Sequence, residues 1–175
     1  MGWIIQKLSR MPLGAIAVCS ALTACSQGPD MSGIAAERER PVRRYDISQS
    51  MASNGKVIVV GTQSGVVLTS EDQGKNWKRT ALGNTSLVDM TVCGTLGFLA
   101  IDHYHKVWSA DAEGKNWKSV ALEMPRTPLA VTCDKQGGWW VTGINSVISG
   151  SADQGKTWKT TDFGEDTQIT TIQFV

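Results

Sequence analysis

The sequence predicts an all-β protein made of repeated four-stranded units, and three observations support this prediction. Three segments of similar sequence end in Trp77, Trp117 and Trp158, which lie 40 and 41 residues apart. Upstream of each tryptophan, short runs of β-forming residues alternate with turn residues. Glycine (18 residues) and tryptophan (7 residues) are frequent in this chain of 175 residues, as tight turns and aromatic packing require.

Each repeat shows the same order of strands and turns. In the first repeat the apolar run 56–60 is followed by a turn at 61–65 and a second run at 66–68. A strand before these runs and another after the tryptophan complete four antiparallel strands. Such a unit at this period predicts the blade of a β-propeller. The predicted fold is therefore three propeller-type blades plus the first strand of a fourth, at residues 45–82, 86–122, 127–163 and 167–175.

Three blades do not close a propeller, since closed rings have at least about four blades. This favours a chain that is part of a longer gene product over an open array or a ring shared by several chains. An open array exposes sheet edges and end faces. We therefore expect the isolated chain to be poorly soluble or oligomeric.

The N-terminal segment has the pattern of an export signal. Lys7 and Arg10 precede an apolar stretch from residue 11 to 24, which is too short for a comfortable membrane span. The stretch ends in Leu22-Thr23-Ala24-Cys25, which resembles a bacterial lipobox. The resemblance implies removal of residues 1–24, lipidation of Cys25, a tether over residues 25–44 and a place in the cell envelope. Ser26, in place of an aspartate, is similar to the outer-membrane sorting pattern. A cleaved signal with an incidental cysteine and an uncleaved anchor are the alternatives.

The repeated segments 70–77, 110–117 and 151–158 are called here the Asp–Trp turns. The first and third share the pattern S-x-D-x-G-x-N/T-W. This pattern resembles the Asp-box, or bacterial neuraminidase repeat, of sialidases, sortilin-type receptors and the photosystem II stability/assembly factor-like family. The second turn departs from it, because Ala112 occupies the aspartate position and Asp111 precedes it by one residue. We expect that turn to be distorted.

The resemblance implies that these turns build the fold and take no part in a functional site. An aspartate carboxylate can accept hydrogen bonds from the backbone ahead of it, and a glycine two residues later can adopt a positive φ. The tryptophan then packs over the turn. The residues assigned this architectural role are Ser70, Asp72, Gly74, Trp77, Gly114, Trp117, Ser151, Asp153, Gly155 and Trp158.

The functional face is expected at the opposite ends of the strands, where the loops between second and third strands lie. Asp102, His103 and His105 form its one local cluster with chemical potential, and Arg126 follows in an inter-blade loop. Two imidazoles and a carboxylate could bind zinc or copper. We interpret the cluster as a polar loop instead and predict no metal site, because no further ligand is evident elsewhere in the sequence. Arg79 could add to a basic spot with Arg126.

Cys93 and Cys133 occupy equivalent places in the second and third repeats. In an oxidising compartment they could form a disulfide between blades. The bond needs Cα atoms within about 7 Å. The sequence alone favours two buried free thiols, because first strands of adjacent blades could lie further apart.

These features predict an exported, lipid-anchored scaffold that binds a protein partner and has no cofactor or catalytic site. The chain resembles the photosystem II stability/assembly factor-like family over residues 45–175. The tyrosines Tyr45 and Tyr104 do not suit the nucleophile of a sialidase. The alternative is a carbohydrate-binding or glycosidase-like surface protein, for which Trp108, Trp139 and Trp140 are the candidate aromatics. Removal of Lys7 and Arg10 with the leader changes the net charge from +1 to −1, which argues against nucleic acid as a partner.

Overall fold

A computed structural model describes residues 28–174, so the predicted leader and the lipidation site at Cys25 lie outside the described residues. Arg40–Val175 is one compact unit, and residues 28–39 belong to a separate one. That separate part contains helix α1 (Ser32–Glu39), where the sequence predicted only a tether. The Asp30 carboxylate accepts a hydrogen bond from the Ser32 amide (2.9 Å) and so caps the start of this helix. No helix within residues 28–174 is long and apolar enough to cross a membrane.

The compact unit is built of three four-stranded antiparallel sheets, as predicted. Each sheet is a simple meander in which consecutive strands pair, and the sheets are called blades 1 to 3. Blade 1 comprises β1 (Ser48–Ser53), β2 (Ile58–Thr62), β3 (Val66–Ser70) and β4 (Lys78–Ala81). Blade 2 comprises β5 (Leu87–Val92), β6 (Phe98–Asp102), β7 (Lys106–Ala110) and β8 (Lys118–Ala121). Blade 3 comprises β9 (Pro128–Cys133), β10 (Trp139–Gly143), β11 (Val147–Ser151) and β12 (Lys159–Asp162).

The register repeats from blade to blade. Val59 pairs with Thr69 in blade 1, Leu99 with Ser109 in blade 2, and Trp140 with Gly150 in blade 3. The first strand of each blade carries an irregularity near its start, where one extra residue shifts the pairing. These equivalences extend the sequence repeat to individual residues, so differences between blades can be assigned to particular substitutions.

The hydrophobic core lies between the blades, at two contact regions called here seam 1/2 and seam 2/3. Alternating side chains of β6 point to opposite faces of the sheet, so blade 2 contributes to both seams, whereas the other face of blade 1 carries a small separate cluster of Val60, Val66 and Leu68. Val59 and Val67 of blade 1 pack with Phe98 and Trp108 of blade 2. Leu99 and Ile101 pack across seam 2/3 with Trp139 and Val141. Trp108 and Trp139, two of the three candidate aromatics, therefore pack between blades.

The segment before β1 belongs to the folded unit. Arg79 on β4 donates hydrogen bonds from both terminal nitrogens to the two carboxylate oxygens of Asp46 (2.6 and 2.9 Å), and it also reaches the Pro41 carbonyl (3.1 Å). The Asp46 side chain is almost fully buried. The compact unit therefore begins at Arg40 instead of residue 45, and Arg79 is a structural partner of Asp46 and not part of a basic spot.

The last residues run along blade 3. They pair with it through an isolated antiparallel bridge between Ile144 and Gln168, and no strand forms among residues 167–174. The Thr142 hydroxyl donates to the Ile169 carbonyl (2.9 Å), and the rings of Trp140 and Phe174 lie 5.6 Å apart. The predicted first strand of a fourth blade is therefore reduced to a single bridge, and the segment is held mainly by contacts with blade 3.

Candidate functional site

The two ends of the blades carry different kinds of residue. One end carries the three Asp–Trp turns, whose residues bond mainly to one another. In the first and third Asp–Trp turns, the Asp72 and Asp153 carboxylates accept hydrogen bonds from the backbone amides of Asn76 and Thr157 (2.8 Å each). These bonds, helped by the Asn76 and Thr157 side chains, lower the pKa of both aspartates to about 2. Both carboxylates therefore accept hydrogen bonds from the backbone of their own turns, as the sequence predicted.

The other turn residues act with these aspartates. The Ser70 hydroxyl accepts the Gly74 amide (2.8 Å) and donates to Asp72 (2.9 Å), and Ser151 does the same for Gly155 and Asp153 (2.8 Å each). Gly74 and Gly155 have φ of +86° and +80°. The indole N–H of Trp77 donates to the Gly74 carbonyl (2.9 Å), and that of Trp117 to the Gly114 carbonyl (3.1 Å). The Trp158 indole nitrogen is buried without a partner among the described residues.

The second turn is built differently, as its sequence predicted. Asp111 replaces the missing aspartate from one position earlier, and it accepts hydrogen bonds from the Lys115 amide and the Asn116 side chain (2.7 Å each). Positive φ values fall at Gly114 and Asn116, whereas the regular turns have them at consecutive residues. The one-residue shift therefore changes the path of the chain and not merely the identity of the acceptor.

At the opposite end, the loop between β6 and β7 is the candidate binding site. Asp102 lies beneath this loop and is fully buried. Its carboxylate accepts hydrogen bonds from the Tyr104 and Lys106 amides (2.8 and 3.0 Å), the Thr85 hydroxyl (2.6 Å) and the Trp108 indole (2.7 Å). Asp102 therefore holds the loop, and its prediction as a surface residue of the binding face was wrong.

The repeat carried a signal for this role. Thr62 occupies the equivalent place in blade 1, where its hydroxyl accepts the Val66 amide (3.0 Å) and closes the same loop. Alignment of the two positions identifies Asp102 as a turn-closing residue.

The remaining residues of the cluster are exposed. His103, Tyr104, His105 and Lys106 all lie on the surface, and Tyr104 has 59% of its area accessible. The His105 imidazole contacts the carbonyl of Arg126, an exposed residue of the loop between blades 2 and 3. His105 has φ of +57° at the position held by Gly65 in blade 1. The structure therefore brings His105 and Arg126 together, with Tyr104 beside them, on a loop fixed from below by Asp102.

The same end of blade 3 differs in charge. Asp162, Glu165 and Asp166 lie near Asn145 around a shallow cavity. No group of three or more histidine, cysteine, aspartate or glutamate side chains suited to a metal ion occurs within residues 28–174.

Cys93 and Cys133 are joined by a disulfide, with Cα atoms 5.2 Å apart. The bond crosses seam 2/3 and links the ends of the first strands of blades 2 and 3. The preference for free thiols was wrong because adjacent first strands approach more closely than the sequence indicated.

Comparison with known proteins identifies the fold. No family model matches the sequence, and no curated protein matches it significantly. Among solved structures, the chain is similar to YCF48 bound to D1 peptide (TM-score 0.62, 14% identity, 71% of this chain and 44% of that one). It is also similar to a streptogramin B lyase (TM-score 0.61, 15% identity, 72% and 44%) and to BamB from Moraxella catarrhalis (TM-score 0.53, 18% identity, 69% and 39%).

This chain has a β-propeller-type fold. It spans less than half the length of each of these three structures. At such low identity the likeness concerns the fold alone, because one propeller fold serves binding proteins and enzymes alike.

Proposed function

We propose that this protein is an exported, lipid-anchored propeller-type scaffold that binds a protein partner and does not catalyse a reaction. The observation that carries the proposal is the exposed loop of blade 2, where Tyr104 stands between two histidines on a backbone fixed by the buried Asp102. Tyrosine and arginine are enriched where proteins meet, and binding residues are commonly presented on loops held by a rigid frame. Similarity to YCF48, whose structure contains a bound peptide, supports this proposal.

Site-specific photo-crosslinking in the native host tests the proposal. With p-benzoylphenylalanine in place of Tyr104, we expect crosslinks to one defined protein. The same probe in place of Lys75 is the control, because Lys75 is exposed on an Asp–Trp turn at the other end of the blades. An Arg126→Ala change in the Tyr104 probe protein should weaken the adduct. Absence of adducts from Tyr104, or equal adducts from Lys75, would overturn the proposed binding face.

The lipid anchor is tested separately. We expect the wild-type chain to incorporate radiolabelled palmitate and to fractionate with membranes. Cys25→Ser should abolish both properties, whereas Cys19→Ser, a change within the predicted leader, should preserve them. Palmitate incorporation by the Cys25→Ser variant would contradict the lipobox assignment.

The alternative, a glycan-binding or glycosidase-like protein, has less support at this end of the blades. Trp108 and Trp139 are buried in the seams, and Trp140 packs against Phe174. None of the three candidates therefore offers a stacking surface beside the β6–β7 loop. Turnover of a fluorogenic sialoside by the purified chain would favour the alternative over the proposal.

A further inference from the structure

The loops between the second and third strands can be compared at matched positions in all three blades. Residues 63–66 of blade 1 read Gln-Ser-Gly-Val and residues 144–147 of blade 3 read Ile-Asn-Ser-Val, whereas residues 103–106 of blade 2 read His-Tyr-His-Lys. Of these three loops, only that of blade 2 contains an aromatic ring, an imidazole or a charged side chain. The departure from the repeat therefore coincides with the loop that the proposed function assigns to a partner.

Lys106 is the clearest departure, because the repeat places an apolar residue at its position. Lys106 begins β7 in the same register in which Val66 begins β3 and Val147 begins β11. The two valines are buried, with 8% and 2% of their area exposed, but the Lys106 side chain is exposed and lies 5.9 Å from the centre of the Trp108 ring. Burial of a valine stabilises a fold more than an exposed contact between a cation and a ring does. The fold alone favours valine here, so the lysine is better explained by an interaction outside the chain.

Arg126 brings a second cation to the same place. The His105 imidazole contacts the backbone carbonyl of Arg126, so the loop between blades 2 and 3 lies against the β6–β7 loop. The Lys106 and Arg126 side chains are both exposed, and neither forms an ion pair within residues 28–174. Asp102 is fully buried, which leaves Glu123 as the exposed carboxylate of the connection between blades 2 and 3. Two cations and two imidazoles are thus accompanied by a single exposed carboxylate.

The same end of blade 3 has the opposite charge. Asp162, Glu165 and Asp166 lie there, and no lysine or arginine occurs among residues 143–150 or 160–174. The surface therefore changes from basic over blade 2 to acidic over blade 3. An acidic segment of a partner is attracted to blade 2 and repelled from blade 3, so the charge pattern determines where such a segment lies.

We propose that the partner binds the β6–β7 loop through an acidic segment, a stretch of peptide rich in aspartate and glutamate. The assignment rests on the proposed function, whose partner it describes. Arginine pairs with a carboxylate through two parallel hydrogen bonds, and lysine adds a point charge. The Tyr104 and Lys106 amides both donate to Asp102. They are therefore not available to cradle a phosphate group, which favours carboxylates as the anions.

The four bonds accepted by Asp102 also fix the backbone of the loop before a partner arrives. A loop that is already ordered loses less conformational entropy on binding. Tyr104, which stands between the two histidines, is then free to contact the backbone or the apolar side chains of the bound segment. The same loop thus supplies both charge and an aromatic contact.

Titration of the full-length, ¹⁵N-labelled chain with octapeptides of glutamate, of glutamine and of lysine tests the proposal. We expect the glutamate peptide alone to give saturable shifts of the amide signals of residues 103–106, and about 0.5 M NaCl to weaken its affinity. Arg126→Glu and Lys106→Glu should each weaken it at least about tenfold, since each loses a charge-assisted hydrogen bond. Lys156→Glu is the matched control, because Lys156 is exposed on the third Asp–Trp turn, at the other end of the blades. It should retain the affinity of the wild-type chain.

Three outcomes would overturn the proposal: an absence of saturable shifts with the glutamate peptide, equal shifts with the glutamine peptide, or an unchanged affinity in both charge-reversal variants. An equal response of the same amides to sodium phosphate would also overturn it, because the loop would then select any anion.

The Tyr104 crosslink separates this proposal from the proposed function. An adduct that persists unchanged in the Arg126→Glu and Lys106→Glu proteins would leave protein binding in place and exclude an acidic segment. Saturable binding of the glutamate peptide without any crosslinked protein in the host would instead contradict the proposed function, while the preference of the loop for carboxylates would stand.

Discussion

The two seams join equivalent surfaces of the same repeat, yet different groups hold them. At seam 1/2 the shifted second turn reaches back to blade 1: Gly114 packs on Val59 and Thr69, and the Asn54 side chain donates to the Ala112 carbonyl (2.8 Å). At seam 2/3, Gly155 of the regular third turn packs on Val120 and Trp139, and the Cys93–Cys133 disulfide crosses the seam. A repeated sequence thus fixes the blade, while single departures from the repeat decide how neighbouring blades are held.

Blade 2 takes part in both seams, so the largest loss of stability is expected when the hydrogen bonds accepted by its buried Asp102 are removed. Asp102→Ala removes the acceptor of four hydrogen bonds, and it leaves the Trp108 indole and the Thr85 hydroxyl buried without this partner. We expect the free energy of unfolding to fall by about 4 kcal/mol, as measured by urea denaturation. Asp166→Ala, at an exposed carboxylate, should change it by less than about 0.5 kcal/mol. Similar effects of the two changes would contradict the role assigned to Asp102.

Removal of the disulfide tests seam 2/3 alone. The paired change Cys93→Ser and Cys133→Ser releases a crosslink between residues 40 positions apart. We expect a loss of about 3 kcal/mol in the free energy of unfolding, measured in the absence of reductant. In the presence of reductant the wild-type chain should approach the variant. A wild-type stability that does not respond to reductant would show that the two sulfurs are not bonded in solution.

Glycine substitutions in the three turns compare the seams directly. All three glycines have positive φ, so replacement by alanine costs about 1 kcal/mol at each. At Gly74 the added Cβ meets only the Trp77 ring at 3.6 Å, so little more is expected. At Gly114 and Gly155 it would lie 2.9 and 2.5 Å from valine methyl groups of the preceding blade, which should add about 1–3 kcal/mol. Equal thermal stabilities of the three alanine variants would show that these turns do not pack on the neighbouring blade.

The smallest effect is expected from acid. Hydrogen bonds hold the pKa of Asp72 and Asp153 at about 2, below the ordinary value of 3.8. Since the folded pKa is lowered, the stabilisation is complete above about pH 4 and is lost as the pH falls towards 2. We expect the melting temperature of the wild-type chain to fall over this interval, and to fall less in the double variant Asp72→Asn and Asp153→Asn. Parallel pH profiles for the two proteins would argue against this contribution.

Much of this architecture follows from the sequence, because a repeat of 40 residues repeats both its strands and its turns. The blades, the architectural role of Asp72 and Asp153, and the irregular second turn were predicted from the positions of a few aspartates, glycines and tryptophans. The burial of Asp102 was missed because its partners Thr85 and Trp108 lie outside the local motif. The pairing of Arg79 with Asp46, 33 residues apart, gave no periodic signal and depends on how the chain enters blade 1.

Amide hydrogen exchange with and without reductant tests most directly whether the two seams are held by different means. The Val131 amide is a local probe of seam 2/3, since it donates across the seam to the Asp89 carboxylate (2.8 Å). We predict that reduction accelerates exchange at Val131 and its neighbours in β9, while amides of β2 and β3 in blade 1 keep their protection. Equal acceleration in blades 1 and 3, or no change at Val131, would contradict a disulfide that stabilises seam 2/3 and leaves seam 1/2 unaffected.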